Sequence, residues 1–143
     1  MIYKFRDEYF FLSNFYPVKI EYGGDVYPTA EHAFQAAKCE NVKDRQKLRK
    51  AKTPVEAKSI GRRVRMKANW DSERVLVMEK LLRIKFENPK MKFLLKKTHE
   101  QDLVENNTFH DRFWGVCSCS RHKNSGVNML GKILMKIRED IKL

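Results

Sequence analysis

The chain has no apolar run approaching the ~20 residues a membrane-spanning helix needs, so no membrane segment is expected. It also lacks the apolar core of a secretory leader, since MIYKFRDEYF is charged from Lys4 onward. Cysteine is scarce and odd in number, at Cys39, Cys117 and Cys119, which excludes a disulfide scaffold and fits a reducing compartment. No repeat, linker or low-complexity tract breaks the 143 residues. Acidic residues are in the minority, 18 against 30 Lys+Arg, leaving a net charge of +12. These absences describe a soluble, cytoplasmic protein of a single domain over residues 1–143, with no membrane partner. The surplus charge favours anionic partners, although the lysines are spread from Lys4 to Lys142.

What is present reads as an α+β chain, predominantly α-helical, with a small β-sheet. Residues 2–6, 9–12 and 18–22 have the character of strands or extended segments, and Gly23-Gly24 of EYGGDVYP marks a hairpin turn. A helix is expected from Thr29, with Thr29 as N-cap and Glu31 in the first turn. TPVEAKSIG pairs Thr53 with Glu56 at capping-box spacing, places Pro54 at the first helical position and offers Gly61 as a stop. Asp71 is expected to cap a longer helix in which Val75, Met78, Leu82 and Phe86 recur at helical spacing. Asn88-Pro89 ends it and starts another, to about Lys97. DLVENN and FWGVCS read as short strands, and GVNMLGKILMKIREDIKL as a closing amphipathic helix.

Four stretches carry candidate chemistry. In YPTAEHAFQAAK, Glu31, Gln35 and Lys38 fall at i, i+4 and i+7, on one helix face. Glu31 and Lys38 are two turns apart, about 10 Å along the axis, a gap that suits a sugar ring or its phosphate. A solvated surface stripe would give the same pattern. FLSNFYP sets Asn14 beside Phe15 and Tyr16, which suits stacking and edge-reading of a base, or equally a core-entry loop capped by Asn14. HDRFWG places Asp111 three residues before Trp114, with Gly115 letting the backbone come close; a core tryptophan after a turn is the plainer alternative. GVNMLG, with Asn128, opens the last helix with free N–H groups that suit an anion, but it is not a dinucleotide fingerprint.

No metal is expected. Cys117, Cys119 and His122 have a C-x-C-x-x-H spacing outside the usual zinc patterns, with His110 merely nearby. No familiar serine or cysteine nucleophile motif appears.

Taken in order, FLSNFYP, YPTAEHAFQAAK, GRRV with a tryptophan eight residues after Arg62, LLRIKF, and WG followed by GVNMLGKILMKIRE cover nearly the whole chain and closely resemble the NADAR family. The resemblance implies a mostly helical fold with a small sheet, no metal or redox cofactor, and hydrolysis of a C–N glycosidic bond in a ribosylated compound. The substrates it implies are small phosphorylated N-ribosides, such as ribosylaminopyrimidine phosphates of riboflavin synthesis, or ADP-ribose on guanine in nucleic acid. It places Lys38 and Glu31 at the catalytic amine and carboxylate, with Asp111 in reserve. Asn14, Phe15, Tyr16, Gln35, Arg62, Trp70, Trp114, Gly115 and Asn128 then fall at pocket-lining positions. The chain departs from the pattern in WGVCSCSRHKNSG, where Cys117 and Cys119 replace small, flexible residues of a glycine-rich loop.

On these residues, a lysine amine attacks the anomeric carbon and passes through an imine, or a carboxylate activates water directly. A module that binds the nucleotide without cleaving it is the alternative of another class.

Overall fold

A computed structural model describes residues 1–142. The chain divides into two compact units, one made of residues 14–87 and the other of residues 1–13 together with 88–142.

The 14–87 unit opens with the hairpin. β1 (Ile20–Tyr22) pairs antiparallel with β2 (Asp25–Tyr27). Gly23 and Gly24 turn the chain at φ +60° and +87°, a pair of left-handed conformations that glycine adopts without a Cβ penalty. α1 (Ala30–Ala37) follows, and Thr29 caps it as expected, its hydroxyl accepting the His32 N–H at 3.1 Å. α2 (Val42–Arg49) is capped by Asn41 and α3 (Pro54–Gly61) by Thr53. α2 went unread in the sequence because VKDRQKLR buries only Leu48 and shows almost no apolar period. α4 (Trp70–Lys85) starts one residue before Asp71, so Asp71 lies in its first turn and Asn69 takes the cap position.

α1 is the centre of this unit. It packs against α2, α3, α4 and both hairpin strands. All eight of its residues are buried. Its alanines allow this, because a slim helix lets neighbouring backbones close in on every side.

In the other unit a 3-10 helix spans Asp7–Leu12, where an extended segment was expected. Ile2 makes a parallel bridge to Leu103. α5 (Pro89–Lys96) begins at Asn88-Pro89, the Asn88 side chain accepting the N–H groups of Lys90 and Met91. The expected strands around 103–117 shrink to a parallel pair, β3 (Asn106–Asn107) with β4 (Val116–Cys117). α6 (Met129–Asp140) buries Leu130, Ile133, Leu134 and Ile137 along one face. Among the described residues, no helix is long and apolar enough to cross a membrane.

Candidate active site

The capping of α1 sets its rotation, and the rotation puts Glu31 and Gln35 inside. Their exposures are 7% and 8%, which rules out a solvated stripe. Gln35 Nε2 donates to Glu31 Oε1 at 3.1 Å, an i, i+4 contact that holds the carboxylate in place. The Asn14 carbonyl accepts the Glu31 backbone N–H at 3.0 Å, tying the FLSNFYP loop to the first turn of α1. The Asn14 side chain points to Met78 of α4, its Nδ2 lying 3.5 Å from Sδ. Among the described residues, Asn14 Oδ1 and Gln35 Oε1 are buried acceptors without a hydrogen-bond partner. Such an acceptor costs about 1–3 kcal/mol, a penalty that a ligand's donor removes.

Lys38 ends the same face. It is half-buried, and burial pushes its amine below the ordinary lysine value. The Arg62 guanidinium acts in the same direction, while Cys39 and Glu31 pull it back up. Lys38 is thus within electrostatic reach of Glu31 on its own helix and of Arg62 at the C-terminal end of α3. Cys39 is a different case: fully buried, with its thiol pushed up to about 11 by burial, it is inert at neutral pH.

Two supports were invisible or misread in the sequence. Gly61 does not stop α3 by a left-handed turn; it remains helical, and Arg62 takes the cap position. Its missing side chain is needed because a Cβ there would collide with the Gln35 amide. His32 is 1% exposed and bonded at both ring nitrogens. Nε2 lies 2.9 Å from the Ala51 carbonyl and Nδ1 lies 2.7 Å from the Thr29 hydroxyl. A carbonyl only accepts, so Nε2 carries the hydrogen, and the ring pins α1 to the connection between α2 and α3.

Phe15 and Tyr16 are half-buried in the loop after Asn14. Tyr16 faces a lysine that sequence reasoning did not single out. Lys85 is 1% exposed, with Nζ 5.8 Å from the Tyr16 ring centroid and 5.3 Å from that of Phe86. The available signal was its spacing: Lys85 stands seven residues after Met78, on the apolar face of α4. Trp70, expected to line the pocket, is buried and packed on Phe34 with centroids 5.1 Å apart, which gives it a supporting position.

Asp111, Trp114, Gly115 and Asn128 belong to the other unit. Asp111 Oδ1 accepts the backbone N–H groups of Phe113 and Trp114 at 3.1 and 2.9 Å, closing the turn that presents the half-buried Trp114 ring. Gly115 is buried where a Cβ would strike the Glu105 carbonyl. Asn128, at φ +57°, spans two backbone groups: Oδ1 accepts from Glu105 N–H at 3.0 Å and Nδ2 donates to the Leu103 carbonyl at 2.9 Å. Its amide is therefore engaged in holding the start of α6 to residues 103–105.

The NADAR domain model matches residues 2–142. The N-glycosidase YbiA of Escherichia coli K12 is 36% identical over 146 residues, covering 99% of this chain and 87% of that protein. An N-glycosidase of Nostoc punctiforme is 35% identical and covers 98% of this chain and 90% of its own length. A riboflavin biosynthesis protein of Vibrio vulnificus matches 92% of this chain at 33% identity, over 35% of its own length. The NMR structure of E. coli YbiA superposes with a TM-score of 0.80 at 35% identity, covering 98% of this chain and 84% of that one. A match along essentially the whole chain, in sequence and in structure, shows that the protein is a member of the NADAR domain family.

Proposed function

We propose that this chain is an N-glycosidase that hydrolyses the bond between ribose and a base nitrogen in a phosphorylated N-riboside, with Lys38 as nucleophile and Glu31 as proton carrier. One observation carries the reading: the Glu31 carboxylate, buried in α1 and bonded by Gln35, lies within electrostatic reach of the half-buried Lys38 amine at the end of that helix, whose pKa burial lowers. An amine whose protonation is weakened by burial suits a nucleophile.

The steps balance as follows. The Lys38 Nζ lone pair attacks C1′ of the ribose, and the C1′–N bond to the base breaks. The departing nitrogen takes a proton delivered through Glu31. The ring oxygen then leaves C1′ as a hydroxyl, giving an imine between C1′ and Nζ. Water adds to the imine, the C1′–Nζ bond breaks, and the free sugar phosphate and amine return. Arg62, exposed and within electrostatic reach of Lys38, would hold the phosphate. Tyr16 offers a ring for the base.

The relatives named for riboflavin biosynthesis favour a ribosylaminopyrimidine phosphate as substrate. The net charge of +12 supports a second reading, in which the leaving group is guanine and the sugar belongs to ADP-ribose on nucleic acid. Both substrates are incubated with the protein, and the released base is identified by mass. Borohydride added during turnover should inactivate the enzyme and leave a sugar-phosphate adduct on the peptide holding Lys38. An enzyme that turns over fully in borohydride, with no adduct, excludes the imine and leaves direct attack by water. Stoichiometric binding without release of base excludes the enzyme reading altogether.

A further inference from the structure

We propose that His110, Cys117, Cys119 and His122 form a closed, structural zinc site. The sequence shows three of these residues at an unpromising spacing; the fold supplies the arrangement. Cys117 sits at the base of a hairpin, its N–H bonding the Ser125 carbonyl at 3.0 Å and its carbonyl accepting the Ser125 N–H at 3.2 Å. Cys119 and His122 lie within that hairpin, on a turn closed by the Lys123 N–H on the Cys119 carbonyl at 2.9 Å. His110 arrives from the loop between β3 and β4. The four ligand atoms all lie within 4.8 Å of one another.

The separations are more telling than the proximity. With zinc–sulfur bonds of about 2.3 Å and zinc–nitrogen bonds of about 2.0–2.1 Å, a tetrahedron sets nitrogens about 3.4 Å apart and nitrogen and sulfur about 3.5–3.6 Å apart. Here the Nδ1 atoms of His110 and His122 are 3.4 Å apart. Cys119 Sγ is 3.5 Å from His110 Nδ1 and 3.4 Å from His122 Nδ1. Cys117 Sγ is 3.9 Å from His110 Nδ1, slightly long. Both imidazoles turn Nδ1 toward the Cys119 sulfur, the convergence that shared coordination requires.

The chemistry selects the ion. Two thiols and two imidazoles with no carboxylate in the set favour a borderline-soft, tetrahedral cation, hence Zn²⁺ over Mg²⁺ or Ca²⁺. Binding releases two thiol protons, and two thiolates cancel the double charge. Four protein ligands leave no open position, so the ion is structural, not catalytic. The His122 backbone N–H, 3.4 Å from Cys119 Sγ, is the outer hydrogen bond that a zinc-bound thiolate accepts. The site would staple the 108–111 loop to the hairpin in the segment where the chain departs from its family's glycine-rich pattern. It does not depend on the glycosidase reading.

The test uses the full chain, purified without chelator. Elemental analysis should find one zinc per chain. Exchange for Co²⁺ should give the strong visible bands of a tetrahedral ion and a thiolate charge-transfer band. Cys119→Ser and His122→Ala should each weaken zinc binding by more than about 100-fold, while His99→Ala, outside the cluster, leaves it unchanged. A wild-type measurement covers variants that fail to fold: Cys119 should resist alkylation with zinc present and react once a chelator is added. Cobalt bands of a weak, octahedral kind, zinc retained by both ligand variants, or Cys119 alkylation indifferent to chelator would each overturn the assignment.

Discussion

Lys38 and Glu31 give the sharpest predictions at the scale of single residues. Glu31→Gln keeps the shape and a hydrogen bond to Gln35 but cannot carry the proton, and Lys38→Arg keeps the charge but cannot attack. Each should lower kcat/KM by about 100-fold or more while the far-UV spectrum is unchanged; wild-type kinetics in both would remove the assignment. The lowered pKa of Lys38 fixes two pH dependences. The folded state binds this proton more weakly than the unfolded chain, whose lysine value is about 10.4. The charged amine therefore opposes folding below the folded pKa, and the deficit shrinks as pH rises from that value and is gone above the unfolded one. Lys38→Met should raise Tm at neutral pH, with the gain vanishing toward pH ~10.4. Activity falls in the same direction, as the amine protonates, with a midpoint below 10.5 in the pH profile of kcat/KM. Gly61 offers a quieter test. Gly61→Ala drives a methyl group into the Gln35 amide, so it should cost about 1–3 kcal/mol in urea and depress activity as Glu31 loses its partner.

Thr29 belongs to the scale of elements, since it orients α1 twice over. It caps the His32 N–H and bonds the His32 ring. Thr29→Ala should cost about 1–2 kcal/mol, and Thr29→Ser should recover most of it in denaturant titration. Elements with local signals were legible in the sequence: the Gly23-Gly24 hairpin, the Thr29 and Thr53 caps, the Asn88-Pro89 start and the apolar stripe of α6. α2 was not, because its eight residues depend on one buried leucine and an asparagine cap. Residues 9–12 were misread since the aromatics of YFFL suit a strand, whereas the chain takes a tight 3-10 turn over Asp7–Leu12 with Phe11 and Leu12 inside. The shared face of Glu31, Gln35 and Lys38 was readable from spacing alone. Its burial was not, because burial is decided by α2, α3 and α4 closing around it. Lys85 shares that obstacle, taking its meaning from Tyr16, far away in sequence.

For the whole molecule, the net charge of +12 distinguishes the two substrate classes. If nucleic acid carrying ADP-ribose is the substrate, KM should rise steeply between 50 and 200 mM salt, on the order of 10-fold or more, as counterions are no longer released. A small phosphorylated riboside makes one or two phosphate contacts, so its KM should change by only a few-fold over the same range. Faster cleavage of the pyrimidine phosphate with a shallow salt slope would place the charge outside substrate selection.

The pairing of Ile2 with the segment around Leu103 also dictates an order of events during synthesis. The Ile2 N–H bonds the Asp102 carbonyl at 2.8 Å, and the Val104 N–H returns to the Ile2 carbonyl at 2.8 Å. Residues 14–87, which hold α1 and its supporting helices, form a continuous stretch and can condense as they leave the ribosome. The first thirteen residues emerge earlier yet must wait for their partners, about a hundred residues of translation later, or roughly 5–20 s at the usual rate. Throughout that interval Phe5, Phe11 and Leu12, buried in the finished protein, are exposed on the nascent chain. Residues 1–13 are thus made before residues 14–87 and buried after them.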